Sequence, residues 1–171
     1  MLFRSLPSPP FPTSTETQPR PRSNEALRLY PSIPTSIQRA PEPGTGTHRL
    51  SDTLIIDERT AILVPPYVLH RDPRYFSPDP EHFWPERWLR KDGPGAVVTN
   101  TAAFIPFSSG APNCVGRPVA LLALRMVLAW VVLRFDIRLA EGYDVRRWER
   151  DLKDYFAFQK GALPVILTSR Q

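Results

Sequence analysis

The stretch FIPFSSGAPNCVGRP, residues 104–118, contains Cys114, the only cysteine of this 171-residue chain. Phe107 lies seven positions before this cysteine, Gly110 lies four before it, and Gly116 lies two after it. A lone cysteine is usually a small buried hydrophobe. With nine Phe and eight Gly in the sequence, the chance that all three flanking residues fall in place is about one in ten thousand. The setting therefore indicates a role for the thiol beyond packing.

A helix is predicted directly after this stretch, over residues 119–133, which are apolar apart from Arg125. Pro118 suits a first helical position, because the N–H that it lacks would have no partner there. Cys114 therefore lies just ahead of a helix N-terminus, where the partial positive charge favours a thiolate, typically by about 0.3 to 1 kcal/mol. Because the segment is short and carries a charge at its middle, a buried core helix is predicted rather than a membrane span.

Proline usage divides the chain into two parts. The 21 prolines are about twice the average usage, and they concentrate before residue 95, where long regular elements should be few. Residues 1–22 are rich in Pro, Ser, Thr and Arg without an apolar period, which predicts a disordered lead-in. This lead-in has neither the apolar core of a secretion signal nor the length of a membrane span. Residues 23–171 are predicted to form the folded part.

The chain is basic, with a formal net charge of +5 and a pI near 9.8. Such a charge permits binding to nucleic acid or to an acidic membrane surface. The basic residues are scattered, however, and do not alternate with aromatics as a nucleic-acid groove requires, so no nucleic-acid partner is predicted. A modest basic face can instead meet an acidic redox partner. The single cysteine excludes an intrachain disulfide, which fits a protein that faces the cytosol.

The coarse secondary-structure pattern is mixed. A first helix is predicted over residues 23–30, where Glu25 and Arg28 share a face because they are three positions apart. Alone, such a pair is more often an exposed ion pair worth a few tenths of a kcal/mol. Strands are predicted at 36–39, 54–57, 60–64, 134–139, 155–158 and 165–168, with hairpin turns at 57–59 and around 160–161.

The stretch between residues 78 and 100 has Pro, Gly and aromatic residues in quick succession. It is predicted to be an irregular loop that Phe83, Trp84 and Trp88 pack. Together these elements predict an α+β fold, mainly helical, with small sheets, an irregular cysteine loop and the core helix that follows it.

At the cysteine the sequence resembles the cytochrome P450 family of haem-thiolate monooxygenases, whose loop reads Phe-x-x-Gly-x-Arg-x-Cys-x-Gly. Phe107, Gly110, Cys114 and Gly116 match, whereas Pro112 stands where the family has an arginine that commonly binds a haem propionate. The resemblance implies haem (iron protoporphyrin IX) as cofactor and Cys114 as the axial ligand of its iron. It also implies that the other three matching residues surround the haem. The loop and its apolar helix are most similar to fungal members.

A second motif of the family supports the same resemblance. Its members have a helix that ends in Glu-x-x-Arg and, further along, a Pro-Glu-Arg-aromatic turn, which this chain matches with PERW at 85–88. The resemblance implies that Arg87 joins Glu25 and Arg28 in a buried network that holds the cysteine loop. Two planar guanidinium groups can share one carboxylate in a way that lysine could not copy. The stretch HRDP at 70–73, followed by Phe76, also resembles the family.

Two further features are implied by the resemblance. In many members the strand after the Glu-x-x-Arg helix carries an arginine or histidine that reaches a haem propionate, and Arg39 is the best match here. A plain surface arginine is the alternative. Residues 33–37 and the hairpin tip at 159–162 are the candidate lining of a pocket for a small organic substrate.

The resemblance implies oxygen-dependent monooxygenation, with electrons from an NADPH-dependent reductase. It covers only the last third of a typical member, and neither a membrane-anchoring N-terminus nor a long central helix with an acid–threonine pair is found. The chain is therefore expected to be an inactive truncated form with no catalytic residue beyond its haem ligand. Full-length eukaryotic members face the cytosol on the endoplasmic reticulum, but no anchor is expected here.

The residues leave two alternatives to this function. The first is a non-catalytic haem-binding or interaction fragment, which would keep Cys114 and the ionic network. The second, a zinc or thiol-redox protein, is disfavoured because there is no second cysteine. Its candidate ligands His48, His70 and His82 also lack a metal-ligand spacing.

Overall fold

The computed structural model describes residues 21–35, 38–89, 97–110 and 113–170. Within these ranges there are four α-helices, two 3-10 helical turns and eight short strands. The helices are α1 Pro21–Leu29, α2 Pro66–Leu69, α3 Arg117–Arg134 and α4 Arg146–Arg150, and the turns are Pro85–Trp88 and Thr101–Ala103. The mixed α+β character predicted from the sequence is confirmed.

The strands form four small antiparallel sheets among the described residues. They are β1 His48–Arg49 with β2 Ile55–Ile56, β3 Phe76–Ser77 with β4 Val98–Thr99, β5 Phe135–Leu139 with β8 Val165–Ser169, and β6 Lys153–Tyr155 with β7 Ala157–Gln159. The predicted loop at 78–100 therefore contains a 3-10 turn and one short strand in its described part.

The first predicted hairpin, between 54–57 and 60–64, is wrong. Strand β2 pairs with β1, and Ile62 instead makes a single antiparallel bridge to Arg39. The chain reverses before β2 because Leu50 N–H donates to Leu54 O at 2.8 Å and the Ser51 hydroxyl accepts from the Leu54 N–H at 3.1 Å. A serine that bonds its own turn in this way competes with longer-range pairing.

The second predicted hairpin, between 155–158 and 165–168, is also wrong. Phe156 has a φ of 73°, and its N–H donates to the Asp154 carboxylate at 3.0 Å, so the chain turns back between β6 and β7. Strand β8 is left free to pair with β5 over five residue pairs. The two five-residue strands pair along their whole length, from Phe135 with Ser169 to Leu139 with Val165.

The buried core surrounds α1 and the Pro85–Trp88 turn. Its fully buried apolar side chains include Leu29 and Phe76. The Phe76 ring lies 6.3 Å from the Trp88 ring, and Trp88 lies 4.7 Å from Phe104 in an edge-to-face contact. Buried polar residues sit beside these rings, so the centre of the fold is as much ionic and aromatic as aliphatic. Trp84 is half-buried, whereas Phe83 is exposed.

Helix α3 is not the buried core helix that the sequence predicts. It begins at Arg117, and none of its residues is fully buried; Val119 is 71% exposed and Leu133 is 73% exposed. The reason is that the helix is apolar all round, whereas described neighbours contact only the side that carries Leu121 and Leu124.

Among the described residues, no helix is long and apolar enough to cross a membrane.

Candidate functional site

Three charged side chains meet at the centre of the fold, and each is completely buried. Arg28 donates from Nε to Glu25 Oε2 at 2.9 Å and from Nη2 to Glu25 Oε1 at 2.8 Å. Arg87 donates from Nε to the same Oε1 at 3.0 Å. Helix α1 supplies the first two residues one turn apart, and the Pro85–Trp88 turn brings the third against them. The structure thus brings Glu25, Arg28 and Arg87 together.

The Glu25 carboxylate has two further donors. The Trp84 N–H donates to Oε1 and the Trp88 indole N–H donates to Oε2, both at 2.9 Å. Burial alone raises the pKa of Glu25, but the donors from Arg28, Trp84 and Trp88 outweigh it, so that the pKa lies below its ordinary value. Burial lowers the pKa of Arg87, and Glu25 partly offsets that effect. The carboxylate is therefore held ionised, as charge-assisted bonds to it require.

The remaining guanidinium donors reach backbone carbonyls of the neighbouring loops. Arg28 Nη1 donates to His70 O at 2.6 Å and to Pro80 O. Arg87 Nη1 donates to Pro78 O at 3.2 Å. In the described part of the chain, every buried side-chain nitrogen and oxygen has a partner. The network consequently fixes the backbone of the segment that leads into the Pro85–Trp88 turn.

The cysteine loop is closed by its own backbone. The Cys114 N–H donates to Phe107 O at 2.9 Å, and the Ser108 N–H donates to Ile105 O at 3.0 Å. Gly110 has a φ of 73°, which lies in the left-handed region that glycine adopts most easily. The Arg117 N–H then donates to Cys114 O at 3.2 Å as α3 begins. These bonds place the cysteine at the N-terminal end of the helix.

The Cys114 thiol is free and exposed. A Cβ added to Gly116 would lie 3.7 Å from Sγ, so the glycine keeps the helix side of the sulfur open. An accessible sulfur of this kind is the donor that a haem-thiolate iron requires, and the residues present fit that group on the cysteine side. The described residues contain no cluster of three or more His, Cys, Asp and Glu side chains that could hold a metal ion by themselves.

Arg39 lies against the cysteine loop. Its guanidinium donates to the Ser108 hydroxyl and, from Nη2, to Ser109 O at 3.0 Å, while the side chain remains exposed. The prediction that concerned Pro112 lies outside the described residues, as does the end of the candidate pocket segment 33–37. Ile33, in the same segment, is half-buried.

The second candidate pocket segment, 159–162, is not a hairpin tip. The turn between β6 and β7 lies instead at Phe156, which is 63% exposed, next to Tyr155 at 67%. Strand β7 docks on the segment after α1, because the Phe158 N–H donates to Ser32 O at 2.8 Å. The aromatic rings of Tyr67 and Phe158 meet edge to face at 5.8 Å.

A buried histidine completes the site, and sequence reasoning gave it no role. His70 is fully buried, with Nδ1 at 3.0 Å from Arg28 O, while Nε2 accepts from the Ile105 N–H at 2.9 Å. Burial lowers its pKa from 6.5 to about 4, so the imidazole is neutral at physiological pH. The HRDP stretch marked this position, but a histidine whose partners are backbone atoms 42 and 35 residues away leaves no spacing signal.

Comparison with known proteins places these residues in a familiar context. The family described as cytochrome P450 matches residues 23–160. The chain is 41% identical over 136 residues to cytochrome P450 monooxygenase nodW of Hypoxylon pulicicidum, a match that covers 78% of this chain and 24% of that protein.

Two other fungal proteins are similar over more of the chain. Tryprostatin B 6-hydroxylase of Aspergillus fumigatus is 37% identical over 147 residues. Cytochrome P450 monooxygenase phqL of Penicillium fellutanum is 39% identical over 150 residues. Each match covers 86% of this chain and 25% of the other protein. The chain thus spans about a quarter of the length of these relatives, and its resemblance to fungal members is confirmed.

Proposed function

Because the chain belongs to the cytochrome P450 family, we propose that Cys114 is the axial thiolate ligand of a haem iron in a monooxygenase. The observation that supports this most is the exposed sulfur ahead of α3, on a loop closed by the bond from the Cys114 N–H to Phe107 O. The end of a helix with free N–H groups favours the anionic form of a ligand placed there. When bound, the haem would supply oxygen activation and electron transfer.

The surrounding residues would hold the cofactor and shape its site. Phe107 would lie beside the haem, Gly116 would keep a side chain away from the sulfur, and Gly110 would let the loop turn. Arg39 would bind a propionate, because a guanidinium that already reaches Ser108 has an exposed, charged fork close to the cysteine loop. Its alternative is an ordinary surface arginine tied to that loop.

The proposed reaction inserts one atom of dioxygen into a small organic substrate. The support is the family and the names of the relatives, two of which are called monooxygenases and one a tryprostatin B 6-hydroxylase. A reductase that draws electrons from NADPH is the proposed donor. Residues 23–171 are proposed to form the haem-binding part of the domain, on the cysteine side of the site.

A second function, a haem-binding fragment without turnover, is favoured by one observation. The apolar side chains of α3 are exposed, among them Trp130 at 56% and Val132 at 52%, so the described residues leave much of the surface around the helix uncovered. A fragment of this kind would keep the iron–sulfur bond and lack oxygen chemistry. The two functions are distinguished by adding a reductase and NADPH to the haem-bound chain and measuring substrate oxidation. Turnover is expected of a monooxygenase and not of a haem-binding fragment.

The test of ligation is the spectrum of the reduced carbonyl complex after expression with added haem. We expect a red-shifted Soret band that is lost in Cys114→Ser. Ser109→Ala is the matched control, because it changes the same loop but removes only a hydroxyl, and the bond from Arg39 goes to the Ser109 carbonyl. An unshifted band in the unmodified chain, or a red-shifted band that survives in Cys114→Ser, would refute the proposal.

A further inference from the structure

The His70 side chain joins the buried ionic network to the cysteine loop. On one side its Nδ1 lies 3.0 Å from Arg28 O, and on the other its Nε2 lies 2.9 Å from the Ile105 nitrogen. The contact to α1 is reciprocal, since Arg28 Nη1 donates to His70 O at 2.6 Å. His70 is therefore tied to Arg28 through two bonds, one at its ring and one at its backbone carbonyl, and its ring is tied to the loop through one.

The chemistry of the two partners fixes the state of the ring. A carbonyl oxygen can only accept, so Nδ1 must carry the proton; a backbone N–H can only donate, so Nε2 must be bare. Burial opposes the charged ring, and the described cations that face it, Arg28 and Arg71, oppose it further. Phe76 and Phe104 pack against the ring from β3 and from the loop and contribute no charge. Only a neutral histidine satisfies both neighbours.

From Ile105 the connection continues to the cysteine through the backbone. Ile105 O accepts from the Ser108 N–H at 3.0 Å, and Phe107 O accepts from the Cys114 N–H at 2.9 Å. Residues 105–107 are therefore held at both ends, by His70 at Ile105 and by Cys114 at Phe107. A change at His70 alters the start of the segment whose end positions the sulfur.

We propose that His70 is a positioning residue for Cys114, and that its bond from the Ile105 N–H transmits the geometry of the Glu25, Arg28 and Arg87 network to the thiolate. The proposal rests on the proposed function of Cys114 as a haem ligand. It assigns the histidine a specific task, namely accepting one hydrogen bond, rather than filling space.

Two substitutions separate the two bonds of the ring. The amide of His70→Gln reaches the Nε2 position and can accept from the Ile105 N–H, whereas the amide of His70→Asn reaches the Nδ1 position and can donate to Arg28 O. Both remove one hydrogen bond and the aromatic ring. A merely structural role predicts similar effects, whereas the positioning role predicts that only His70→Asn disturbs the loop.

The first readout needs no haem. Amide hydrogen exchange at Ile105 and Cys114 is measured in the unmodified chain and in both variants. We expect exchange to rise about five- to tenfold in His70→Asn, the effect of one net hydrogen bond, and to change less than twofold in His70→Gln. Labelling of the single thiol by a maleimide gives a parallel measure of loop opening. Equal effects of the two variants on exchange would overturn the proposal.

The pH profile provides a second readout in the unmodified chain, and it holds even if a variant folds poorly. The pKa of His70 is about 4 when buried and 6.5 when exposed, so opening of the loop takes up a proton between these values. Protection of the Ile105 amide, corrected for intrinsic exchange, should therefore be constant above about pH 6.5 and fall about tenfold per pH unit from there to about pH 4. Protection that is flat from pH 7 to pH 4 would contradict the proposal.

The last readout connects the loop to the haem. In the reduced carbonyl complex, His70→Gln should retain the red-shifted Soret band and His70→Asn should lose a large part of it to the unshifted form. An unshifted band in the unmodified chain would refute haem ligation by Cys114. A red-shifted band of equal intensity in both variants would leave ligation intact and refute the positioning role of His70.

Discussion

Among single residues, Glu25 makes the largest contribution to holding the buried ionic network together. Its two oxygens accept five hydrogen bonds, of which three come from Arg28 and Arg87 guanidinium nitrogens and two from tryptophan N–H groups. Removing three charges from water is costly, and their attraction offsets this cost only because each guanidinium nitrogen has an acceptor. The arrangement is therefore best understood as a device that fixes the positions of three chain segments.

Arg87 offers a direct test of that interpretation. Arg87→Met leaves the buried carboxylate with one cation and removes the bonds to Pro78 O and Asp79 O, so we expect the free energy of unfolding to fall by about 3 to 5 kcal/mol. Arg59→Met is the control, because Arg59 is exposed and its ion pair with Asp57 is long, with Nε 3.9 Å from Oδ1. Little change in the free energy of unfolding is expected for this variant. Denaturant unfolding measures both variants. A similar small loss in each would show that the network does not hold the fold.

The site could be predicted from sequence only where motifs mark it. Glu25, Arg28 and Arg87 were found because a spacing of three and a PERW turn are visible in the chain, and the structure brings their side chains together. The role of His70 could not be found, because its partners are backbone atoms that become neighbours only after folding. The haem-directed roles of Cys114, Phe107, Gly110, Gly116 and Arg39 remain predictions.

At the scale of elements, the cysteine loop and helix α3 form one unit. The loop ends where Gly116 O accepts the first helical bond, from the Ala120 N–H at 2.9 Å, and Pro118 occupies the first turn without an orphan N–H. One side of the helix meets α1 and the loop at a small cavity of about 50 Å³, lined by Leu27, Phe107 and Leu121 among others. Most of the remaining helix surface is exposed among the described residues, as at Val119 and Leu133.

Neighbouring leucines on α3 should therefore respond differently to the same change. Leu122 is 56% exposed, so Leu122→Lys should leave stability nearly unchanged and reduce self-association by shrinking the exposed apolar surface. Leu121 is half-buried at the cavity, so Leu121→Lys should cost about 1 to 3 kcal/mol.

Sedimentation velocity measures the association and thermal unfolding measures the stability. Equal stability losses for the two variants, or unchanged association in Leu122→Lys, would show that the two sides of α3 are not distinct in solution.

Helices and strands could be predicted from the sequence where a local pattern determines them. The pairing of strands with one another could not. The apolar run after the cysteine predicts α3 to within two residues at its start. The predicted hairpins were wrong because hydrogen bonds within tight turns decide which strands pair. In these turns the Leu54 N–H donates to the Ser51 hydroxyl and the Phe156 N–H donates to the Asp154 carboxylate. The prediction that α3 is buried was wrong, because an apolar sequence does not show whether other segments pack against it.

In the molecule as a whole, Cys114 lies between the buried ionic network, which reaches its loop through His70, and the apolar helix α3. The buried network organises the described residues from α1 to the Pro85–Trp88 turn, His70 extends it to the loop, and α3 starts three residues after Cys114. The chain belongs to the cytochrome P450 family and spans about a quarter of the length of its relatives. Its proposed task is to present a fixed thiolate to haem iron.

Resonance Raman spectroscopy of the haem-loaded chain tests this claim most directly. The chain is prepared with normal and with heavy-isotope sulfur in its cysteine, and Cys114 is the only cysteine that can carry the label. We predict an iron–sulfur stretching band that moves to lower frequency with the heavy isotope. A chain that binds haem but shows no band sensitive to the sulfur isotope would contradict the account.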